Sequence, residues 1–147
     1  MSSDQFGVTG IDHVELSVPD RYEAAAWYED LLGLEIRDEY EMWADRGGPL
    51  MVASDDESTM LALFKGRPPE PDATVGPPLI AFGVDGDGFM TFLDRLEERS
   101  VVNSRGQPVG RDDVVDHGLA SSIYFADPYG HRYEVTTYDR DFVRSKL

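Results

Sequence analysis

The sequence predicts an α+β fold of two paired β-α-β-β-β modules that form a curved, partly open barrel with a central cleft. The main observation is a repeat: each half of the 147-residue chain shows a strand pattern, a helix pattern and three more strand patterns. A module of this order covers only one face of its sheet with its own helix, so two modules can pair around a cleft. The Pro- and Gly-rich stretch GRPPEPDATVGPP indicates a linker at residues 67–77. We therefore predict one domain over residues 1–147, with module one at about 10–66 and module two at about 78–140.

The first module begins with a predicted strand at residues 11–19, where apolar and polar residues alternate. Its apolar face carries Val14, Leu16 and Val18, and its polar face carries His13, Glu15 and Ser17. Asp20 is the predicted N-cap of a helix at residues 21–32, which ends at Gly33. Turn residues then separate three short predicted strands, at residues 34–40, 49–53 and 59–64.

The second module repeats this order. A strand at residues 79–84 precedes a helix at residues 87–99, whose apolar residues recur at helical spacing. Four further segments complete the module: a strand near residues 100–104, a loop or weak strand at 110–116, and two final strands at 121–126 and 132–138. Pro128 and Gly130 predict a tight turn between the final strands, which would fix their register so that Glu134 points inward.

Composition limits the chemistry and the partners. The chain has no cysteine, so a metal would have to bind His, Asp, Glu or backbone oxygen. The net charge is −16, from 29 acidic and 13 basic residues, which disfavours nucleic acid and anionic membranes as partners. The first residues lack a signal-peptide pattern and no apolar run could span a bilayer, so we expect a soluble, cytoplasmic protein. Only two of the basic residues are lysines, as is typical of halophilic proteins; an acidic protein from an ordinary organism is the alternative.

Three motifs carry a resemblance to a known superfamily. They are IDHV at residues 11–14, WYxxLLGL at 27–34 and DPxGxxxE at 127–134. In this order and spacing they resemble the vicinal oxygen chelate proteins, which include glyoxalase I, extradiol dioxygenases and bleomycin-resistance proteins. The resemblance covers residues 10–138 and implies a homodimer with a small-molecule substrate or ligand.

The C-terminal part is similar to the extradiol dioxygenase signature, through His117, Tyr124 and the motif that ends at Glu134. The resemblance implies that His13 and Glu134 are metal ligands, for Fe²⁺ or Mn²⁺. It also implies that His117 is an acid/base group and that Tyr124 hydrogen-bonds the substrate or oxygen. A histidine with a pKa near neutrality suits such proton transfer.

The sequence departs from the superfamily pattern at two ligand positions. Leu79 stands where a second histidine is usual, and Ala62 stands where glyoxalase I has a glutamate. Glu15 or His117 could complete the shell around a metal held by His13 and Glu134. Apolar residues at these positions equally suit a drier cleft for an aromatic ligand.

Three functions therefore stay open. The first is a metal-dependent enzyme on a small vicinal-oxygen or catechol-like substrate, most like an extradiol dioxygenase. The alternative is a metal-free small-molecule-binding protein of the bleomycin-resistance kind, and a third is a metal-free enzyme with Glu134 as general base.

Several polar side chains also have plain structural interpretations. His13 could hydrogen-bond a neighbouring acid such as Glu15, and Glu134 could pair with Arg132 or Arg37. His117 could be a surface-loop histidine and Tyr124 a filler of the cleft wall, and we expect His131 to be exposed after Gly130. Tyr40 and Trp43 could line the cleft.

Overall fold

The computed structural model describes residues 5–68 and 78–147. They form two compact units, one before and one after residues 69–77 in the sequence. Each unit holds a four-stranded sheet and helices, which confirms the α+β class. That the two units make up one domain stays a prediction. Within the described ranges, no helix is long and apolar enough to cross a membrane.

The first unit has the predicted strand and helix at its start. Its elements are β1 Val14–Val18, α1 Arg21–Leu32, β2 Glu35–Ile36, α2 Glu41–Asp45, β3 Leu50–Ala53 and β4 Met60–Lys65. The sheet order is β1-β4-β3-β2, with β1 parallel to β4 and the other pairs antiparallel. The Asp20 carboxylate accepts hydrogen bonds from the backbone of Tyr22 and Glu23, and Gly33 ends α1 with a φ of 70°. The predicted limits of α1 are therefore confirmed.

The second unit repeats this topology. Its elements are β5 Leu79–Gly83, α3 Gly86–Glu98, β6 Val115–Asp116, β7 Ser121–Ala126, β8 Arg132–Thr137 and α4 Arg140–Lys146. The sheet order is β5-β8-β7-β6, with β5 parallel to β8, so β5 and β8 match β1 and β4. The Asp85 carboxylate caps α3 by accepting a hydrogen bond from the backbone of Gly88 at 2.7 Å.

Two predicted strands are wrong. The segment 34–40 is extended only at Glu35–Ile36, and a 3-10 turn at Asp38–Tyr40 and helix α2 follow it. Acidic residues begin both helical segments, and their negative charge interacts favourably with the positive end of a helix dipole. Residues 100–104 make a single bridge, between Val102 and Pro108. The Asn103 side chain there accepts two backbone hydrogen bonds and folds the segment into a turn instead.

Other boundaries also differ from the predicted ones. The second strand of the second unit is β6, inside the stretch predicted as a loop or weak strand. Strand β1 begins at Val14, later than predicted, and helix α4 was not predicted. A helix of only seven residues carries too few apolar positions to show a clear period.

The core of the first unit lies between its sheet and α1. The sheet residues that face this core are at most 1% exposed: Val18, Leu50, Val52, Leu61 and Leu63. Tyr28 and Leu31 of α1 are also buried, at 0% and 2% exposed. Because side chains alternate along a strand, the opposite face carries Glu15, Met51 and Ala62, which are paired across the sheet. That second face, free of α1, positions the candidate site.

Candidate functional site

A cavity of about 310 Å³ lies on this second face of the first unit. It is lined by Asp12, His13, Tyr40, Trp43, Pro49, Met51, Met60 and Ala62. The rings of Tyr40 and Trp43 stack with their centroids 4.8 Å apart and their planes 17° from parallel. Both rings are carried by the helical segment that replaces the predicted strand. Tyr40 and Trp43 thus line a cavity of the first unit.

His13 lies at the polar end of this cavity. Its Nδ1 is 2.9 Å from Asp12 Oδ2, and its Nε2 is 3.6 Å from Glu15 Oε2. The hydrogen bond to Asp12, together with the charges of both acids, raises the pKa of His13 above its ordinary value despite partial burial. Pairing with an acid was expected, but the closer partner is Asp12 rather than Glu15.

Glu134 lies in the second unit, on β8, opposite Tyr124 of β7 and Ala81 of β5. Its carboxylate accepts a hydrogen bond of 2.7 Å from the Ser122 hydroxyl, which is itself 2.9 Å from the Thr136 hydroxyl. Ser122 is only 1% exposed, so the carboxylate is held by a rigid donor. The sequence showed only that Ser122 shares a face with Tyr124; its contact with Glu134 was missed.

The pairing of Glu134 with Arg132 or Arg37 stays a prediction. Arg37 belongs to the first unit, where its guanidinium donates to the Ser54 carbonyl and lies 3.4 Å from Glu57. It thereby ties β2 to the turn between β3 and β4.

Tyr124 and His117 also meet in the second unit. The Tyr124 hydroxyl is 3.1 Å from His117 Nε2, which lies in the exposed turn after β6. Burial raises the pKa of Tyr124 above its ordinary value, and the nearby negative charge of Glu134 raises it further. The phenol is therefore neutral over the physiological range and can donate a hydrogen bond. The structure brings together His117, Tyr124 and Glu134, which sequence reasoning had assigned to one site.

The expectation that His131 is exposed is wrong. Its side chain is 12% exposed, and its Nδ1 is 2.6 Å from the fully buried carboxylate of Asp127. Asp127 also accepts hydrogen bonds from the backbone of Tyr129 and His131. These bonds fix the turn that joins β7 to β8, and His131 thus has a structural role.

Comparison with known proteins places this geometry in a family. The family described as the Glyoxalase/Bleomycin resistance protein/Dioxygenase superfamily matches residues 10–135. The chain belongs to this superfamily. It is 27% identical to the metallothiol transferase FosB of Staphylococcus epidermidis over 137 residues, 88% of this chain and 82% of that protein.

Two solved structures of the superfamily fold are similar to this chain. A glyoxalase/dioxygenase from Nostoc punctiforme superposes with a TM-score of 0.66 at 21% identity, over 93% of this chain and 99% of that one. Oxidase ChaP-H2 gives a TM-score of 0.65 at 23% identity, over 89% of this chain and 94% of that one. At these identities the likeness concerns the fold.

Within either unit, the described side chains of this superfamily member do not form a complete site for a metal ion. The cross-strand register places Ala62 beside Glu15 in the first unit and Ala81 beside Glu134 in the second. Each of these two cross-strand pairs therefore carries one carboxylate. Leu79, at a position where the superfamily usually has a histidine, has no atom that could bind a metal ion. Within residues 5–68 and 78–147, no group of three or more His, Asp or Glu could hold a metal ion. A divalent ion held by protein alone normally needs at least three such ligands.

Proposed function

We propose that this superfamily member binds a small, flat organic molecule in the cavity of its first unit, without a metal ion. The observation that carries the proposal is the cavity itself, about 310 Å³ with a stacked wall of Tyr40 and Trp43. A cavity of this volume, with a mostly apolar lining and a few polar groups, is typical of small-molecule sites. Of the superfamily's functions, this is closest to that of the bleomycin-resistance proteins.

The lining supports binding rather than metal chemistry. Ala62, at a position where the resemblance implies a ligand in glyoxalase I, adds an apolar floor to the cavity. Met51 and Met60 add flexible thioether side chains, which adapt to the outline of an aromatic ligand. Asp12 and His13 provide the polar groups that would orient the ligand.

Thermal unfolding of the untagged full chain tests this proposal. Aromatic compounds should raise its Tm with or without EDTA, since a ligand at 100 times its Kd adds about 2.7 kcal/mol. Trp43→Leu should reduce this stabilisation strongly. Tyr138→Leu, which removes an aromatic ring that is 80% exposed and outside the cavity, should keep it. A ligand-induced Tm shift that EDTA abolishes would contradict the metal-free proposal.

A metal-dependent enzyme is the second candidate, favoured by the similarity to a metallothiol transferase over 88% of the chain. In this candidate, most like an extradiol dioxygenase, His13 and Glu134 are ligands of Fe²⁺ or Mn²⁺, and His117 and Tyr124 are catalytic. Elemental analysis of untagged protein and Fe²⁺-dependent formation of yellow product from catechol test it. Absence of stoichiometric metal together with absence of turnover would remove it.

A homodimer is part of the proposal, because the resemblance implies it. Size-exclusion chromatography with light scattering measures the mass directly against the 16.4 kDa of one chain. A monomer at all concentrations would overturn this part and leave the cavity proposal standing.

A further inference from the structure

We propose that the cavity of the first unit selects a planar aromatic cation, such as an N-alkylated heteroaromatic ring. This inference rests on the proposed function and names its ligand class. Three features of the described residues lead to it: the acidic segment that carries the aromatic wall, the two carboxylates at the polar end, and the apolar ring and thioether surface between them.

The aromatic wall stands on an acidic segment. Residues 38–45 read DEYEMWAD and carry four carboxylates around Tyr40 and Trp43 in the sequence. Three guanidiniums are also near: Arg37 and Arg46 flank the segment, and Arg21 donates to the carbonyls of Ala44 and Gly48. The carboxylates outnumber them. Glu41 accepts a hydrogen bond from the Tyr22 hydroxyl at 3.2 Å. Desolvation raises the pKa of that phenol, and Glu41 and Asp45 raise it further. The charge around this wall is therefore negative, which attracts cations and repels anions.

The polar end of the cavity is also negative. Asp12 and Glu15 flank the single imidazole of His13, at 2.9 and 3.6 Å. The group carries a net negative charge whether or not the imidazole is protonated. The two acid side chains are 78% and 64% exposed, so their oxygens are accessible to a ligand. Among the eight residues that line the cavity, none is lysine or arginine.

The wall between these charges suits a flat ring. Trp43 is 43% exposed although it stacks on Tyr40, so part of its ring is open to a ligand. The faces of aromatic rings attract cations, and tryptophan does so most strongly. A neutral aromatic molecule would use this surface alone, whereas a cationic one would also interact with the carboxylates. An anion of the same shape would be repelled by them.

Calorimetric titration of the full chain with three probes of one shape tests the charge preference. The probes are 1-methylquinolinium, 1-naphthalenemethanol and 1-naphthoate, which are cationic, neutral and anionic at pH 7.5. In buffer of low ionic strength, we expect the cation to bind about tenfold more tightly than the neutral alcohol, and the anion to bind most weakly.

Variants separate charge from shape. Asp12→Asn should weaken binding of the cation about threefold or more, and should weaken the neutral probe less, because only the cation loses an attraction between opposite charges. Trp43→Leu should weaken both probes. Glu29→Gln is the matched control, because it removes the same charge from α1, which packs on the other face of the sheet. It should change neither affinity.

The outcomes distinguish the two proposals. Equal affinity for the cation and the neutral probe, or an Asp12→Asn variant that binds the cation as well as the unmodified chain does, would overturn the cation inference alone. Failure of all three probes to bind would overturn the proposed function together with it. A cation preference that Asp12→Asn reduces and Glu29→Gln retains supports both.

Discussion

At the residue scale, the local surroundings of each polar side chain decide its role. The sequence predicts His13 and Glu134 as metal ligands and His131 as an exposed turn residue. In the structure, His131 is held by a buried aspartate within a turn, whereas His13 borders a cavity and Glu134 is held by a serine hydroxyl. These different roles follow from the contacts that each side chain makes in the folded chain, which the sequence does not show.

The buried hydroxyl of Ser122 gives a testable prediction at this scale. Ser122→Ala should lower the free energy of unfolding by about 1–2 kcal/mol, because it leaves Glu134 and Thr136 without a hydrogen-bond partner at this position. It should also raise the pKa of Tyr124 further, since the Ser122 hydroxyl now lowers it. Urea unfolding and titration of the tyrosine signals by NMR measure the two effects.

The control for Ser122 is an exposed serine with a similar local bond. Ser145→Ala removes a hydroxyl that donates to the Phe142 carbonyl in α4, and should change stability by less than about 0.5 kcal/mol. If the two variants unfold at the same urea concentration, the Ser122 hydroxyl does not stabilise the second unit as described.

At the element scale, the C-terminal helix depends on one bidentate ion pair. Arg140 at the start of α4 donates to both oxygens of Asp116 on β6, at 2.5 and 2.8 Å. The backbone of Gly118 donates to the same carboxylate at 2.8 Å. With the Arg140 contact as the main cause, these interactions lower the pKa of Asp116 from 3.8 to about 2.

The pH dependence of α4 follows from this shift. Because the folded-state pKa is lowered, the stabilisation is complete above about pH 4 and is lost as the pH falls towards 2. We expect Arg140→Gln to return the pKa of Asp116 towards its ordinary value and to speed amide hydrogen exchange in α4. NMR titration and hydrogen exchange measure both changes.

Arg105→Gln is the matched control for this pair. Arg105 lies in the exposed turn that Asn103 organises, in the same unit, and its loss should leave Asp116 unchanged. An Asp116 carboxyl that titrates near 3.8 in the unmodified chain would show that the ion pair does not form in solution.

At the scale of the whole molecule, charge is the dominant feature. A net charge of −16 in 147 residues destabilises the folded state through self-repulsion. The same charge increases the concentration of cations near the surface, which agrees with the cation preference proposed for the cavity. It also predicts that salt stabilises this protein, as expected for a halophilic origin.

Thermal unfolding in sodium chloride tests the effect of net charge. We expect Tm to rise by roughly 4 °C or more, with most of the rise below about 0.5 M, since the Debye length shrinks from about 30 Å at 0.01 M to 3 Å at 1 M. Sucrose, which stabilises without screening charge, is the control. A Tm that rises only above 1 M would point to salt effects on hydrophobic burial instead of screening.

The order of elements was predictable because it rests on local patterns. Alternation of apolar and polar residues predicted β1, the Asp20 cap and Gly33 predicted α1, and the Pro128 and Gly130 turn predicted the final hairpin. One error falls where a side chain bonds nearby backbone, at Asn103. The others fall at a short helical turn and a short helix, which carry too few residues to show a period.

The sequence by itself determined the repeated β-α-β-β-β order, the acidic charge and the face of β1 that carries Glu15. Only the tertiary structure decided that Tyr40 and Trp43 stack beside a cavity, that Ser122 binds Glu134, and that His131 contacts the buried Asp127 carboxylate. The physical reason is that periodicity reports which face of an element is apolar, whereas these contacts depend on cross-strand register and on packing between residues far apart in the chain.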